Sequence, residues 1–276
     1  MKELKYAIIV PSFNNDHGDY KGKTYLRNCI ESILNQTYKK FNLIIVDDMS
    51  EDTSVETVKE YQVKDDRIIL IQNKRKRYNG GSRNVGIEYA LDNLDFDYFM
   101  FLDSDDWWKH DGVLEKVNTI LSQKDYEMVL LGLEAINKIG VFYEKFHHYD
   151  NYEDFFLSDN KVWCTAWARV IRKDKIVYFC ESTLMEDRVW SYRQADNVEL
   201  ENVYNLQEVC YVWNRMNTTT SVSQQRSYYW NASAWCHIGH QLQLIGELKH
   251  KEMIPILKER IRECIGKVNS GQYEQY

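Results

Sequence analysis

Proline is scarce in this sequence. The 276 residues include only Pro11 and Pro255, so a proline-rich linker between domains is excluded. The length suits one α/β domain with or without a small extension. No apolar run approaches the ~20 residues that span a bilayer, and the N-terminus lacks the basic and apolar segments of a signal peptide. We therefore expect a cytoplasmic protein without a transmembrane segment.

The sequence also lacks a net positive charge and closely spaced cysteine pairs. The formal net charge is -7, which argues against a globally basic nucleic-acid-binding protein but does not exclude a local basic patch. None of the six cysteines forms a Cys-x-x-Cys pair, and their spacing matches no zinc site. We expect scattered, mostly buried thiols in a reducing compartment.

The first half of the chain alternates short apolar strands with helical segments. Strands are predicted at residues 6–10, 43–46, 68–71 and 98–102, and helices at 23–36, at 53–61 and from the Gly80-Gly81 turn through Leu91. This alternation indicates βαβ units, and therefore an α/β fold with a mostly parallel central sheet flanked by helices.

The second half is less regular. We predict strands at 128–133 and 162–171, loops with a short helix at 142–156, and a helix that opens near 185–192. Apolar spacing over residues 228–268 predicts a C-terminal helical extension, interrupted near Pro255. Two interpretations of this extension stay open: it completes the core, which we favour, or it forms a dimer interface.

Three polar clusters directly follow predicted strands. They are Pro11–Asn14, Asp47–Ser50 and Asp103–Asp106. Because the carboxyl ends of parallel strands lie on one edge of a sheet, we expect these loops to converge on one ligand.

The acidic cluster Asp103-Ser104-Asp105-Asp106 has two interpretations. Hard cations such as Mg²⁺ or Mn²⁺ bind carboxylate oxygens together with substrate phosphates, and crowded carboxylates without a cation repel one another. Asp103 and Asp105 would then bind a metal ion. Alternatively, the segment is a solvated acidic turn that caps the next helix.

The second cluster, Asp47–Ser50, is equally open. A carboxylate at a strand end accepts hydrogen bonds from a base or a ribose hydroxyl. The competing interpretation is that Ser50 or Asp52 caps the helix that begins near Thr53.

A glycine-rich segment, Gly80–Gly86, contains Arg83. Glycine allows the backbone to approach a bulky ligand, and Arg83 offers a positive fork to phosphate or to an acidic partner. The preceding basic run, residues 74–77, is interpreted as a solvated loop, with phosphate binding as the alternative.

The pair Glu186-Asp187 is a candidate for acid–base chemistry, because a carboxylate in a cleft can deprotonate an acceptor hydroxyl. The alternative is an ordinary surface helix start. Downstream, Arg215, Ser221 and Ser223 are candidates for diphosphate contacts. The pair His237 and His240 is interpreted as structural rather than as a metal site.

Taken in order, these segments resemble one family. Pro-Ser-Phe-Asn, Val-Asp-Asp-x-Ser, Gly-x-x-x-Arg-Asn-x-Gly, Leu-Asp-Ser-Asp-Asp and Glu-Asp, followed by Tyr211–Arg215 and Ser221, resemble the family 2 glycosyltransferases with the GT-A fold. The resemblance covers about residues 5–223. It implies a glycosyltransferase domain at 1–223, with a nucleotide-sugar-binding half at 1–106 and an acceptor half at 107–223, followed by the extension at 224–276.

The resemblance also implies roles for individual positions. The donor-binding residues would be Pro11, Phe13, Asp48, Arg83, Asp106 and Arg215. Asp103 and Asp105 would bind the divalent metal, Mn²⁺ or Mg²⁺. Asp187 would be the catalytic base with Glu186 beside it. Trp163 or Trp167 would stack on the acceptor, although core packing is the alternative for both.

The implied reaction is inverting sugar transfer from a nucleoside-diphosphate sugar, with UDP the expected nucleotide, to a hydroxyl acceptor. The acceptor would belong to a surface glycan, polysaccharide or lipid-linked sugar, and the protein could form a homo-oligomer. Two alternatives stay open: a phage-type glycosyltransferase acting on hydroxymethylated pyrimidines in DNA, and a non-catalytic nucleotide-binding scaffold.

Overall fold

The computed structural model describes residues 2–75, 78–145, 166–181, 186–216 and 229–269, without the side chains of residues 142, 145 and 229–234. These ranges contain nine β-strands and seven α-helices. The strands are β1 Tyr6–Ser12, β2 Phe41–Asp47, β3 Ile68–Gln72, β4 Tyr98–Phe101, β5 Trp107–Trp108, β6 Met128–Asn137, β7 Gly140–Lys145, β8 Arg169–Arg172 and β9 Val203–Asn214. The helices are α1 Tyr25–Leu34, α2 Ser54–Gln62, α3 Asn79–Asn93, α4 Val113–Gln123, α5 Glu186–Asp196, α6 Tyr229–Glu247 and α7 Ile254–Asn269.

All nine strands belong to one sheet, in the order β3-β2-β1-β4-β8-β6-β9-β5, with β7 paired to β6. The four strands of the first half are parallel, as the βαβ pattern predicts. Beyond β4 the sheet is mixed: β8 pairs antiparallel with β4 and β6, β7 with β6, and β5 with β9, while β6 and β9 are parallel. The α/β class with helices flanking a central sheet is therefore confirmed, and the parallel character belongs to the half that carries the three polar loops.

Both faces of the sheet are covered by helices. Along β1, Tyr6, Ile8 and Val10 enter one apolar cluster, whereas Ala7 and Ile9 enter the other. Residues from α1, α2 and α4 belong to the first cluster. Residues from α3, α5, α6 and α7 belong to the second. The C-terminal helices therefore complete the core on one face, which was the favoured interpretation.

Some segments differ from their sequence-based predictions. In the described part of residues 162–171, only Arg169–Ile171 lie in a strand, β8, and residues 140–145 form β7 where loops were predicted. The long strand β9 and the short strand β5 were not predicted. The register of β9 against β6 shifts at Gly132, so β9 does not show the regular alternation that identifies a strand in a sequence.

Among the described helices, none is long and apolar enough to cross a bilayer. Five cysteines lie in the described ranges, all as free thiols, and Cys236 is the exposed one among them.

Helix α3 packs unusually closely on β1. A Cβ atom at Gly86 would lie 2.6 Å from Cγ2 of Ile9, and Ile9 is fully buried in the core. The missing side chain at Gly86 therefore sets how near α3 approaches the sheet, and with it the position of Arg83 one helical turn earlier.

We expect Gly86→Ala to lower the free energy of unfolding by about 1–3 kcal/mol, because the added methyl group overpacks the core. Gly266→Ala is the matched control, since Gly266 is an exposed α7 residue whose Cβ position has no atom within 4 Å. The control should be neutral or more stable by up to about 1 kcal/mol. Denaturant unfolding of both variants is the measurement, and equal stability of the two would contradict the close packing of α3 on β1.

Candidate active site

The loops that follow β1, β2 and β4 are joined by hydrogen bonds. The Asn14 backbone N–H donates to Ser50 Oγ at 3.0 Å, and Asn14 Oδ1 accepts from the Glu51 backbone N–H at 2.7 Å. Asn15 Nδ2 donates to Ser104 Oγ at 2.5 Å. The predicted convergence of the three polar clusters on one edge of the sheet is thus confirmed.

Asp48 lies buried at the end of β2 and already has two partners. Its Oδ1 accepts from Asn73 Nδ2 at 2.6 Å, and its Oδ2 accepts from the Tyr78 backbone N–H at 2.7 Å. Tyr78 has a φ of 89°, so this contact fixes an unusual backbone turn immediately before α3. A nucleobase contact at Asp48 would have to share these oxygens, each of which can accept a second hydrogen bond.

Asp47 and Asp52 shape the same loop. The carboxylate of Asp47 accepts from the backbone N–H groups of Met49 and Ser50, and Asp52 Oδ1 accepts from the Ser54 backbone N–H at 2.9 Å. The helix-capping interpretation therefore applies to Asp52, while Asp48 lies apart from the cap. Pro11 is buried in β1 opposite Val46, whereas the Phe13 side chain is 41% exposed.

Arg83 lies at the centre of a buried ionic cluster. Its Nη2 donates to Asp103 Oδ1 at 2.6 Å, and its Nη1 donates to Glu186 Oε1 and Asp187 Oδ1, both at 2.9 Å. The Arg83 side chain is fully buried. One guanidinium therefore connects the acidic loop after β4 with the start of α5, and we call these four residues the Arg83 cluster.

The segment before α5 is held against α3. Asn84 Oδ1 accepts from the Phe179 backbone N–H at 2.8 Å, and Asn84 Nδ2 donates to the Phe179 carbonyl at 3.0 Å. The Phe179 ring stacks on Trp190 at 4.6 Å and lies 5.2 Å from the Arg83 guanidinium. At Gly80, a Cβ atom would lie 2.6 Å from the Cys180 carbonyl oxygen. The close approach that Gly80 allows is therefore to the chain itself, not to a ligand.

The two carboxylates of the Glu186-Asp187 pair differ in environment. The side chain of Glu186 is 7% exposed and that of Asp187 is 26% exposed. Burial, followed by the charge of Asp187, raises the pKa of Glu186 well above its ordinary value despite the Arg83 contact. Asp187 is therefore the member of the pair that a substrate can reach.

Asp103 and Asp105 are only partly exposed in the loop that follows β4. The Asp103 side chain is 21% exposed. Burial, followed by the charge of Asp103, raises the pKa of Asp105 to about 7, and the positive charge of Arg215 opposes this rise. Arg215 also lies over the Trp213 ring at 4.5 Å. The charges of Asp103 and Arg215 therefore both act on the Asp105 carboxyl group.

Asp106 needs a correction. It is 1% exposed, and its two oxygens accept from the Tyr211 hydroxyl at 2.5 Å and the Asn214 backbone N–H at 2.7 Å. These contacts orient the Asp106 side chain towards the protein interior and connect the acidic loop with β9. A direct donor contact, as predicted, does not fit this position.

Trp167 also needs a correction. Its ring is 4% exposed and stacks on Tyr211 at 4.5 Å with an interplanar angle of 15°. This is the core-packing alternative, because a face covered by Tyr211 is not open to an acceptor. Trp163, Ser221 and Ser223 lie outside the described residues.

Three supporting residues were given no role by the sequence analysis. Tyr211 and Asn214 orient Asp106, and Asn73 binds Asp48 directly after β3. Asn73 follows a predicted parallel strand, so the strand-end rule that identified the other clusters extends to it. Tyr211 and Asn214 lie on the unpredicted strand β9, in the Tyr211–Arg215 segment that contributed to the family resemblance but gave neither residue a role.

Two other features of the sequence are not members of the Arg83 cluster. Arg75, in the basic run, forms ion pairs with Glu88 and with Glu181. His237 is 1% exposed, and burial lowers its pKa to about 3. Both observations favour structural roles for these residues.

Known proteins share parts of this sequence. Poly(ribitol-phosphate) beta-glucosyltransferase of Bacillus spizizenii is 25% identical over 214 residues, which cover 73% of this chain and 32% of that protein. The chain spans between 14% and 42% of the length of this and two other curated relatives.

Solved structures share the fold. S. aureus TarS 1-349 in complex with UDP-GlcNAc has a TM-score of 0.66 at 17% identity, over 87% of this chain and 67% of that one. Mannosyltransferase PcManGT from Pyrobaculum calidifontis, in complex with GDP-Man and Mn2+, has a TM-score of 0.57 at 14% identity, over 97% of this chain and 70% of that one. The sequence profile of glycosyl transferase family 2 matches residues 7–181, so this chain is a member of that family, with the GT-A fold.

Proposed function

We propose that this protein transfers one sugar from a nucleoside-diphosphate sugar to a hydroxyl acceptor, with inversion at the anomeric carbon. The observation that carries the proposal is the Arg83 cluster. It brings Asp103, beside the candidate metal ligand Asp105, and Asp187, a partly exposed carboxylate, to one guanidinium at 2.6 and 2.9 Å. The proposed site for the leaving diphosphate and the proposed base for the acceptor would therefore be adjacent.

The donor set of Asp103 and Asp105 fits a divalent cation. Both are oxygen ligands of the kind that Mn²⁺ and Mg²⁺ prefer, with room for substrate phosphates as further ligands. Burial, followed by the charge of Asp103, raises the pKa of Asp105 to about 7, and a bound cation would favour the ionised form of both carboxylates. When bound there, the metal would supply positive charge to the leaving diphosphate.

Asp187 is proposed as the general base. It accepts the proton of the acceptor hydroxyl while the acceptor oxygen bonds to the anomeric carbon and the bond from that carbon to the diphosphate oxygen breaks. One displacement of this kind inverts the configuration. Glu186 is the less accessible of the two carboxylates, so it is not proposed to take the proton. Its proposed role is to orient Arg83 and thereby Asp187.

The nucleotide sugar is proposed to bind at the carboxyl-terminal edge of the parallel strands. Pro11 and Phe13 are proposed to line the base pocket, with Asp48 bonding the base, and Arg215 is proposed to face the diphosphate. The UDP-GlcNAc complex of S. aureus TarS supports a UDP-sugar donor. The name of the Bacillus spizizenii relative supports a hydroxyl of a cell-surface polymer as the acceptor.

Removal of the Arg83 guanidinium should lower the stability of the fold. We expect Arg83→Met to lower the free energy of unfolding by about 3–5 kcal/mol, because it leaves buried carboxylates without their counter-ion. Arg75→Met is the matched control: Arg75 also pairs with two carboxylates, but its side chain is 38% exposed, so a loss of about 1 kcal/mol or less is expected. Equal losses in denaturant unfolding would refute the special role of Arg83.

Nucleotide binding should depend on metal and on Asp105. We expect calorimetric titration with UDP, GDP and their sugars to show binding of one nucleotide class in the presence of Mn²⁺, and strong weakening without it. Asp105→Asn should abolish the effect of metal, whereas Asp66→Asn, a change at an exposed residue on a distant loop, should not. A folded protein that binds no nucleotide would favour a scaffolding role instead.

Removal of the negative charge should have different effects on catalysis at Glu186 and at Asp187. Asp187→Asn should lower kcat by about 10²–10⁴-fold with little change in donor affinity. Glu186→Gln should keep more of the activity than Asp187→Asn, because the proposed role of Glu186 is to hold Arg83 and a glutamine oxygen can still accept that hydrogen bond. Release of nucleoside diphosphate, measured with the donor found by calorimetry and acceptors found by screening surface polymers, distinguishes them. The assignment is wrong if Glu186→Gln is the more damaging change.

A further inference from the structure

Helix α6 exposes an apolar stripe on the side that faces away from the core. Ile238 and Leu244 of α6 are buried, whereas Trp235 is 49% and Leu242 is 54% exposed. Gly239 and Gly246 are exposed as well. At about 100° per residue, Trp235, Gly239, Leu242 and Gly246 lie within about 60° of arc on one helix face. We call these four residues the α6 stripe.

The α6 stripe differs from the neighbouring solvent-facing helix. Residues 235–246 contain no Asp, Glu, Lys or Arg, although 28% of the chain is charged. The exposed side of α7 carries Lys258, Glu259, Arg262 and Glu263, with an ion pair between Arg262 and Glu259. Both helices pack on the same core cluster, so the core does not explain why one outer face is charged and the other is not.

The order of large and small residues in the α6 stripe is self-complementary. If two α6 helices pack antiparallel about a two-fold axis between residues 240 and 241, Trp235 of one copy lies opposite Gly246 of the other. Leu242 then lies opposite Gly239, and each contact occurs twice, as a symmetric dimer requires. Within the described residues, and apart from the backbone of α6 itself, no atom lies within 4 Å of a Cβ placed at Gly239 or Gly246, so both positions leave space for a large side chain.

We propose that the α6 stripe is the contact surface of a symmetric dimer of this chain. The match of large residues to hollows favours a second copy over a lipid surface, which imposes no such register. Membrane-surface helices also carry Lys and Arg beside the apolar face, whereas Gln243 and Glu247 are exposed beside this one. One helix pair is a small interface, so we expect association that depends on protein concentration.

The experiment is sedimentation velocity of the full chain over a concentration series. The wild-type protein should shift from monomer to dimer, and Leu242→Glu should remain monomeric. Leu91→Glu, the same change at a leucine of α3 that is 44% exposed, should dimerise like the wild type. A monomeric wild type at every concentration would overturn the proposal, as would a dimer that survives Leu242→Glu.

A swap of the paired positions tests the register itself. Gly239→Leu should abolish the dimer, because two leucines then meet across the axis, and Leu242→Gly should weaken it. The double variant should recover dimerisation, because the leucine introduced at position 239 again faces a glycine. Circular dichroism checks that all variants fold. If the double variant is folded but does not dimerise, the antiparallel register is refuted.

Binding to phosphatidylglycerol vesicles tests the alternative of a membrane surface. If the wild-type protein is monomeric and binds these vesicles, and Leu242→Glu abolishes that binding, the α6 stripe is a membrane-binding surface and the dimer proposal is overturned.

Discussion

The arrangement of the site depends on one charge, the guanidinium of Arg83, and on its complete removal from water. Asp103, Glu186 and Asp187 come from two segments more than eighty residues apart in the chain, and without a cation between them their charges would repel. Arg83 can occupy that position because Gly80 and Gly86 let α3 approach the chain on either side of it. The glycine spacing around Arg83 is therefore a packing requirement of the ionic cluster.

This burial changes what Arg83 contributes to sugar transfer. Its contacts with Asp103, Glu186 and Asp187 all lie within the protein, so most of its positive charge is already balanced. A diphosphate leaving group needs positive charge that is still available, and Arg215 together with a cation bound by Asp103 and Asp105 would supply it. The role expected for Arg83 at the diphosphate is thus better explained as positioning of the base and of a metal ligand.

The sequence was sufficient where the position of a residue follows from a local pattern. Strand ends are local, and the convergence of their polar loops follows from parallel pairing, so Asp48, Asp103 and Asp105 were found on the correct edge. The sequence could not show that Asp106 is buried or decide between the two interpretations of Trp167. Their partners, Tyr211 and Asn214, lie more than forty residues away on a strand whose irregular register hides its alternation. A buried acid and an exposed one look alike until the distant strand is placed.

The C-terminal helices show how a support for the site and a contact surface can share one element. The inner face of α6 packs in the same apolar cluster as Trp190 of α5. Trp190 stacks on Phe179, and Phe179 lies beneath Arg83. Substitutions on this inner face would alter both stability and the base, so they cannot isolate an association surface. The α6 stripe lies on the exposed side of the helix, where Trp235 is 49% and Leu242 is 54% exposed, so substitutions there test association with little effect on the core beneath Arg83.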